Sequence, residues 1–188
     1  MLKSIEEFRK CVLITGFRNV RIENTEEFLK LIHTEKSSNL EAQVFNAERV
    51  ATWQHLYFAV LDALTAFKNE ANISKSLAME TMLYASAQRQ IRKATETLGV
   101  RPSSTKVAML IVGERPEDLK LTLSKFSKQI EAERDDAILD LTEEKIANIQ
   151  RTFDISNEEL GTVMKGHDKK KALVDLVIER MALVAADP

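Results

Sequence analysis

The chain of 188 residues has one cysteine, three prolines and five glycines that never stand together. Cys11 alone can neither close an internal disulfide nor build a thiolate metal site, which fits a reducing compartment and leaves it a small packed side chain. The glycines at 16, 99, 113, 161 and 166 are isolated, so no glycine-rich loop cradles a phosphate, and the common nucleotide-using classes are excluded. His33, His55 and His167 lie far apart, none with a His or Cys at ligand spacing, and no serine stands in a nucleophile-elbow context. No cofactor or metal is expected. No apolar run reaches the roughly 20 residues of a bilayer span. The opening MLKSIEEFRK has acids where a signal peptide has its apolar stretch, so no membrane association and a cytoplasmic location are expected. Neither sign of charge dominates: the net charge is -2, and any contact with nucleic acid must come from a local basic patch.

What is present is 44% hydrophobic and 30% charged, the composition of a soluble globular protein, and no stretch reads as a linker, so residues 1–188 are expected to form one domain. Two helical runs between 46 and 98 carry its largest apolar surface. In the first, Val50, Trp53, Tyr57, Val60, Leu61, Leu64 and Phe67 recur at helical steps and predict a core-facing stripe. Asn46 is the expected N-cap, and Glu48, Thr52, His55, Asp62 and Asn69, with small alanines between them, mark the far face. The second run, capped by Ser74, keeps a line through Leu77, Tyr84, Ala87, Ile91, Ala94 and Leu98, with Gly99 as a left-handed cap. Glu80 falls on that apolar line. A buried carboxylate is expected to be paired, since it is costly to bury unpaired; otherwise that end of the helix opens onto a cleft or a partner.

Around this pair, Ile5 and Phe8 suggest a helical turn, and Cys11 to Ile22 reads as a strand with a bulge or bend at Gly16. Asn24 with Glu27 caps a short helix fading near Ser37, and residues 40 to 45 alternate as a half-buried strand. The unbroken apolar run through Val107 to Val112 predicts the centre of the sheet. Pro116 opens a helix whose inner stripe is Leu119, Leu123, Phe126 and Ile130. The acidic residues 131 to 136 read as solvated, and Ala137 to Leu141 as a short edge strand. Thr142 precedes a helix, Ser156 and Glu159 form a capping box for another ending near Gly166, and the last helix starts near Asp168. The predicted class is mixed α/β: a small, largely antiparallel sheet flanked by helices, a long central helical hairpin and an all-helical C-terminal third.

Arg89, Arg92 and Lys93 would share one face of a continuous helix, with Lys75 a few turns earlier and Arg101 just beyond its end. Such a cluster can hold phosphates, with Gln88 and Gln90 adding hydrogen bonds; the plainer alternative is a solvated charged face. Lys169, Lys170 and Lys171 stand at the start of a helix, against its dipole. His55 reads as a solvated or structural histidine rather than a base.

The strings NAERVATWQHLYFAVLDALTAF, ISKSLAMETMLYASAQRQIRKATETLGV, KVAMLIVG and KKALVDLVIERMALV resemble the small PRPK-binding subunit of the KEOPS complex in an archaeal-type version, over about residues 12 to 184. Tyr84 to Ile91 is the most specific piece. The resemblance implies a non-enzymatic subunit of the complex that makes threonylcarbamoyladenosine in tRNA. Its implied partners are a small atypical kinase-like ATPase and tRNA, including the 3′ CCA end. For tRNA contact the basic cluster supplies the candidates: Arg89, Arg92 and Lys93, with Lys75 and Arg101 behind. The apolar excess of the last helix, Leu173, Leu176, Val177, Met181 and Val184, is expected to include a kinase-docking patch, with core packing at least an equal alternative for any single one of them. Rival readings are a small enzyme acting on a phosphorylated ligand, with Glu80 and His55 as acid and base, and an adaptor touching protein only.

Overall fold

A computed structural model describes residues 1–35, 39–164 and 168–186. Ser37, Gly166, His167 and the side chain of His33 lie outside what is described.

The strand elements are β1 (Leu2–Ile5), β2 (Lys10–Arg18), β3 (Glu41–Asn46), β4 (Val107–Gly113) and β5 (Glu133–Arg134). They form one antiparallel sheet in the order β1-β2-β4-β3, with β5 sharing the outer edge of β2 with β1. The mixed class with an antiparallel sheet is as the sequence suggests, and β4 lies buried throughout at its centre. The edges differ from expectation. The charged lead is a strand followed by a 3-10 turn at Glu6–Phe8, and residues 137 to 141 give no strand, because a 3-10 turn at Asp136–Leu139 follows the two-residue β5. Gly16 makes no bulge: it pairs in register with Ala108. A Cβ there would come within 2.5 Å of Asp135 O and of Ile138, so the close approach of that turn demands the glycine.

Strand alternation sends Cys11, Leu13, Phe17, Val44, Met109 and Ile111 to one side, where α1 (Thr25–Glu35) and α5 (Pro116–Gln129) cover them with Phe28, Leu119 and Phe126. Phe126 stands edge-on to both Phe17 and Phe28. Val12, Ile14, Phe45, Ala108, Leu110 and Val112 face the other side. There they meet α2 (Trp53–Lys68) and α3 (Leu77–Ala85), and the helices of the C-terminal third, α6 (Glu143–Thr152), α7 (Asn157–Val163) and α8 (Lys169–Ala186), complete the layer. Caps at Asn24, Thr142 and Ser156 form as expected, and Pro116 opens α5.

The central hairpin exists as α2 against α3, but its second arm is broken. Helix α3 ends in a Schellman cap: Gln88 N–H donates to Leu83 O, Ala87 N–H donates to Tyr84 O, and Ala87 takes φ 53°. A separate α4 (Ile91–Leu98) follows. Gly99 is extended, with φ −65°, and is not the left-handed cap expected; a Cβ there would lie 2.4 Å from Thr95 O. Asn46 caps the 3-10 turn Ala47–Arg49 rather than the long helix, and Ser76 rather than Ser74 caps α3. The buried face of α2 is also rotated from the predicted stripe. It runs through His55, Leu56, Ala59, Val60, Ala63, Leu64 and Ala66, while Trp53, Tyr57 and Leu61 are half-buried. Small alanines let α2 and α3 approach closely, so residues assigned to the far face are the contact.

Candidate nucleic-acid and protein interfaces

Two groups offered as acid and base are spent on the fold. His55 is fully buried; its Nδ1 accepts from Ala51 N–H at 3.1 Å, which fixes the proton on Nε2, and Nε2 donates to Ala85 O at 2.7 Å. It stitches the start of α2 to the end of α3, edge-on to Phe153. Burial holds its pKa down at about 4, so the ring is neutral. Glu80, also fully buried, is paired as expected, but with backbone: its two oxygens accept from Ile73 N–H at 3.0 Å and Ser74 N–H at 2.6 Å. It shapes the loop between α2 and α3.

The basic cluster is divided by the break after α3. Arg89 lies in the turn before α4, off the face of Arg92 and Lys93, and its Nη1 donates to Val184 O at the end of α8, 2.6 Å away. Arg92 points into solvent and pairs with Glu96 at 2.9 Å. Lys75 stands exposed at the opposite end of α3. Lys93 instead opens onto a polar groove of about 560 Å³ shared with Arg49, Gln88, Asn148 and Arg151. Arg49 donates through Nη1 to Glu96 O at 3.0 Å and to Thr97 O at 2.8 Å, and Arg101 donates to Glu96 O at 2.5 Å. Both guanidinium groups therefore gather at the carbonyl end of α4, where the helix dipole favours cations. Partial burial, then the charge of Arg101, lower the pKa of Arg49. Two like charges held together are a setting that an anion relieves. The nearby carboxylates are already matched, Glu48 by Lys106 at 2.8 Å and Glu96 by Arg92. Arg49 and Arg151 escaped sequence reasoning because they reach the groove from elements distant in the chain. The run Lys169 to Lys171 is offset by Asp168, whose carboxylate caps α8 by accepting from Lys171 N–H at 3.0 Å.

Leu173, Leu176, Val177, Met181 and Val184 are all core, at most 4% exposed. Their apolar excess is used against α2 and α3, so these five do not form a surface patch. The apolar surface of α8 lies beside them. Val174 and Ile178, with Trp53 and Phe58 of α2, line a groove of about 650 Å³ that also carries Lys170 and Asp175. Phe58 is 39% exposed, Trp53, Tyr57 and Phe58 pack edge-on in series, and the ammonium of Lys3 lies over the first two rings, 4.9 Å from Trp53 and 5.7 Å from Tyr57. On the same wall the hydroxyl of Thr52 is closed to solvent and bonded to nothing among the described residues.

Residues 17–185 match the family model described as kinase binding protein CGI-121. The regulatory protein Cgi121 of Methanocaldococcus jannaschii is 32% identical over 165 residues, covering 88% of this chain and 98% of that protein. With a family match across nearly its whole length and a relative of this identity, the chain belongs to the kinase binding protein CGI-121 family.

Proposed function

We propose that this protein is a non-catalytic regulatory subunit of the KEOPS tRNA threonylcarbamoyladenosine complex. It docks on the kinase-like ATPase subunit through the α2–α8 groove and offers the groove at the end of α4 to tRNA, including the 3′ CCA end. Family membership supports the kinase partner. The observation that carries the tRNA part is the convergence of Arg49 and Arg101 on the α4 carbonyls, with Arg49 lining one groove together with Lys93 and Arg151. Phosphate is the ligand this arrangement suits, and Gln88 and Asn148 supply neutral donors for sugar or base. Assembly with these partners carries a cytoplasmic location with it. The rival small-molecule enzyme loses ground because both of its proposed groups, His55 and Glu80, are buried in structural hydrogen bonds.

The test is tRNA affinity across a salt series. Arg49→Glu with Arg151→Glu is expected to weaken binding and make the slope of log K against log salt shallower by about 0.7–0.9 for each phosphate no longer neutralised, while Lys75→Glu leaves it nearly unchanged. Kinase binding with no salt-dependent tRNA binding would instead establish the protein-only adaptor.

A further inference from the structure

A third cavity, of about 450 Å³, lies between the end of α2, the loop before α3 and the last turn of α8, and it belongs to neither groove already described. Its size is within the range of small-molecule sites, and its wall is mostly small and apolar, with Ala66, Ala71 and Ala182 among the lining residues. Three functional groups converge on it: the Asp62 carboxylate, the Tyr84 phenol and the Arg89 guanidinium. Burial is the main cause that raises the pKa of the phenol, and both charges act on it as well, Asp62 raising it and Arg89 lowering it. Glu80 bears on the same phenol, but its oxygens are spent on Ile73 and Ser74 N–H.

Asp62 is the unsatisfied member. It is half-buried and has neither a hydrogen bond nor an ion pair among the described residues, and burial pushes its pKa up to about 6. A carboxylate held in this way gains most from a cationic donor brought in from outside. Arg89 spends Nη1 on Val184 O, and no other partner of its guanidinium is found among the described residues, so its remaining N–H groups can serve an anion. An apolar pocket with one free carboxylate and one anchored guanidinium is complementary to a molecule bearing both charges. We infer that this cavity binds a small zwitterion of the α-amino-acid class, its ammonium on Asp62 and its carboxylate on Arg89, with Tyr84 and Asn69 as neutral hydrogen-bonding partners. Because Arg89 also holds the end of α8, occupancy would bear on the same helix that lines the proposed kinase groove.

The experiment is calorimetric titration of the full chain with L-amino acids from glycine to phenylalanine, alongside the matching amines and carboxylic acids that lack one charge. Binding of amino acids, with both single-charge series at least about tenfold weaker, is the expected result. Asp62→Asn, nearly the same shape, should weaken the amino acid by about tenfold or more, and Arg89→Lys should weaken it less than Arg89→Met. Melting temperature is followed for each variant, and if Arg89→Met loosens α8, Asp62→Asn decides alone. No binding by any amino acid at millimolar concentration, equal binding by the amines, or full binding by Asp62→Asn would each overturn the inference. None of these outcomes depends on tRNA or kinase binding.

Discussion

His55 shows how a residue type that suggests chemistry can be absorbed by the fold. The sequence placed it opposite an apolar stripe, open to a structural or a solvated role, and nothing local marks it as the link between Ala51 N–H and Ala85 O. Those partners are 4 residues before it and 30 residues after it, and only the packing of α2 on α3 brings the second within reach. The consequence is a pH dependence of known sign. The ring is neutral in the folded chain with a pKa of about 4, against about 6.5 unfolded, so as pH falls from 6.5 toward 4 the unfolded chain takes up a proton that the folded chain refuses. Stability present above pH 6.5 is lost across that window, by up to ~3 kcal/mol. Urea unfolding of His55→Asn beside the unaltered chain should show a stability gap that narrows as pH falls from 6.5 to 4; a constant gap would contradict a buried neutral ring. Asp62 works in the opposite direction, because its raised pKa makes the folded chain the better proton acceptor as pH falls from 6 toward the ordinary carboxylate value. It is common to both proteins, so it cancels in the comparison. Glu80 was more legible, since its place on an apolar line announced a buried charge needing partners. That the partners are backbone N–H groups of the preceding loop was not visible in side-chain pattern.

At the scale of elements, existence was easier to read than rotation and breaks. Caps with mechanisms, at Asn24, Thr142 and Ser156, located helix starts because the side chains that satisfy free N–H groups are few, and Pro116 located another because its fixed φ suits the first turn, where its missing N–H costs nothing. The stripe on α2 was misplaced because large apolar residues dominate a periodicity count, while close helix packing here uses Ala59, Ala63 and Ala66. The break after α3 was hidden for a related reason. Its left-handed position is Ala87, with no glycine or proline to mark it. Ala87→Gly is therefore expected to raise stability by about 0.5–1 kcal/mol, as glycine removes the left-handed penalty at some cost in unfolded-state entropy. Urea midpoints at constant m-value would measure it; a destabilised variant would show that the Ala87 methyl contributes more than the strain costs. Helix α8 presented an ambiguity between core and surface that hydrophobicity cannot resolve. Its broad apolar face is used inwardly, and Leu176, 2% exposed, packs in the main core. Leu176→Glu should abolish cooperative unfolding, as expected when a charge enters a core without a partner, whereas a folded variant lacking only kinase binding would return Leu176 to the surface.

The whole molecule is one sheet between two helical layers, and the surfaces proposed for function collect on the thicker layer. The grooves of α4 and of α2–α8 and the Asp62 cavity all border the helices on that side, whereas α1 and α5 form a plain cover over the opposite face. Near-neutral net charge leaves only local patches for nucleic acid, and the one proposed for tRNA draws on Arg49, Lys93, Arg101 and Arg151, residues spread over about a hundred positions of sequence. Family resemblance was readable because order and spacing of several helices persist in the strings themselves. The surfaces were not, because they depend on which side of each helix the core consumes.

The most direct test is the affinity of this chain for the proposed partner, the kinase-like ATPase subunit, measured by calorimetry on the unaltered protein and on Phe58→Glu with Ile178→Glu. Both side chains line the α2–α8 groove outside the core. The expected result is a loss of affinity of about thirtyfold or more, the scale of a disrupted hot spot, with an unchanged melting temperature. Undiminished affinity of this folded double variant would place the kinase elsewhere and contradict docking through the α2–α8 groove.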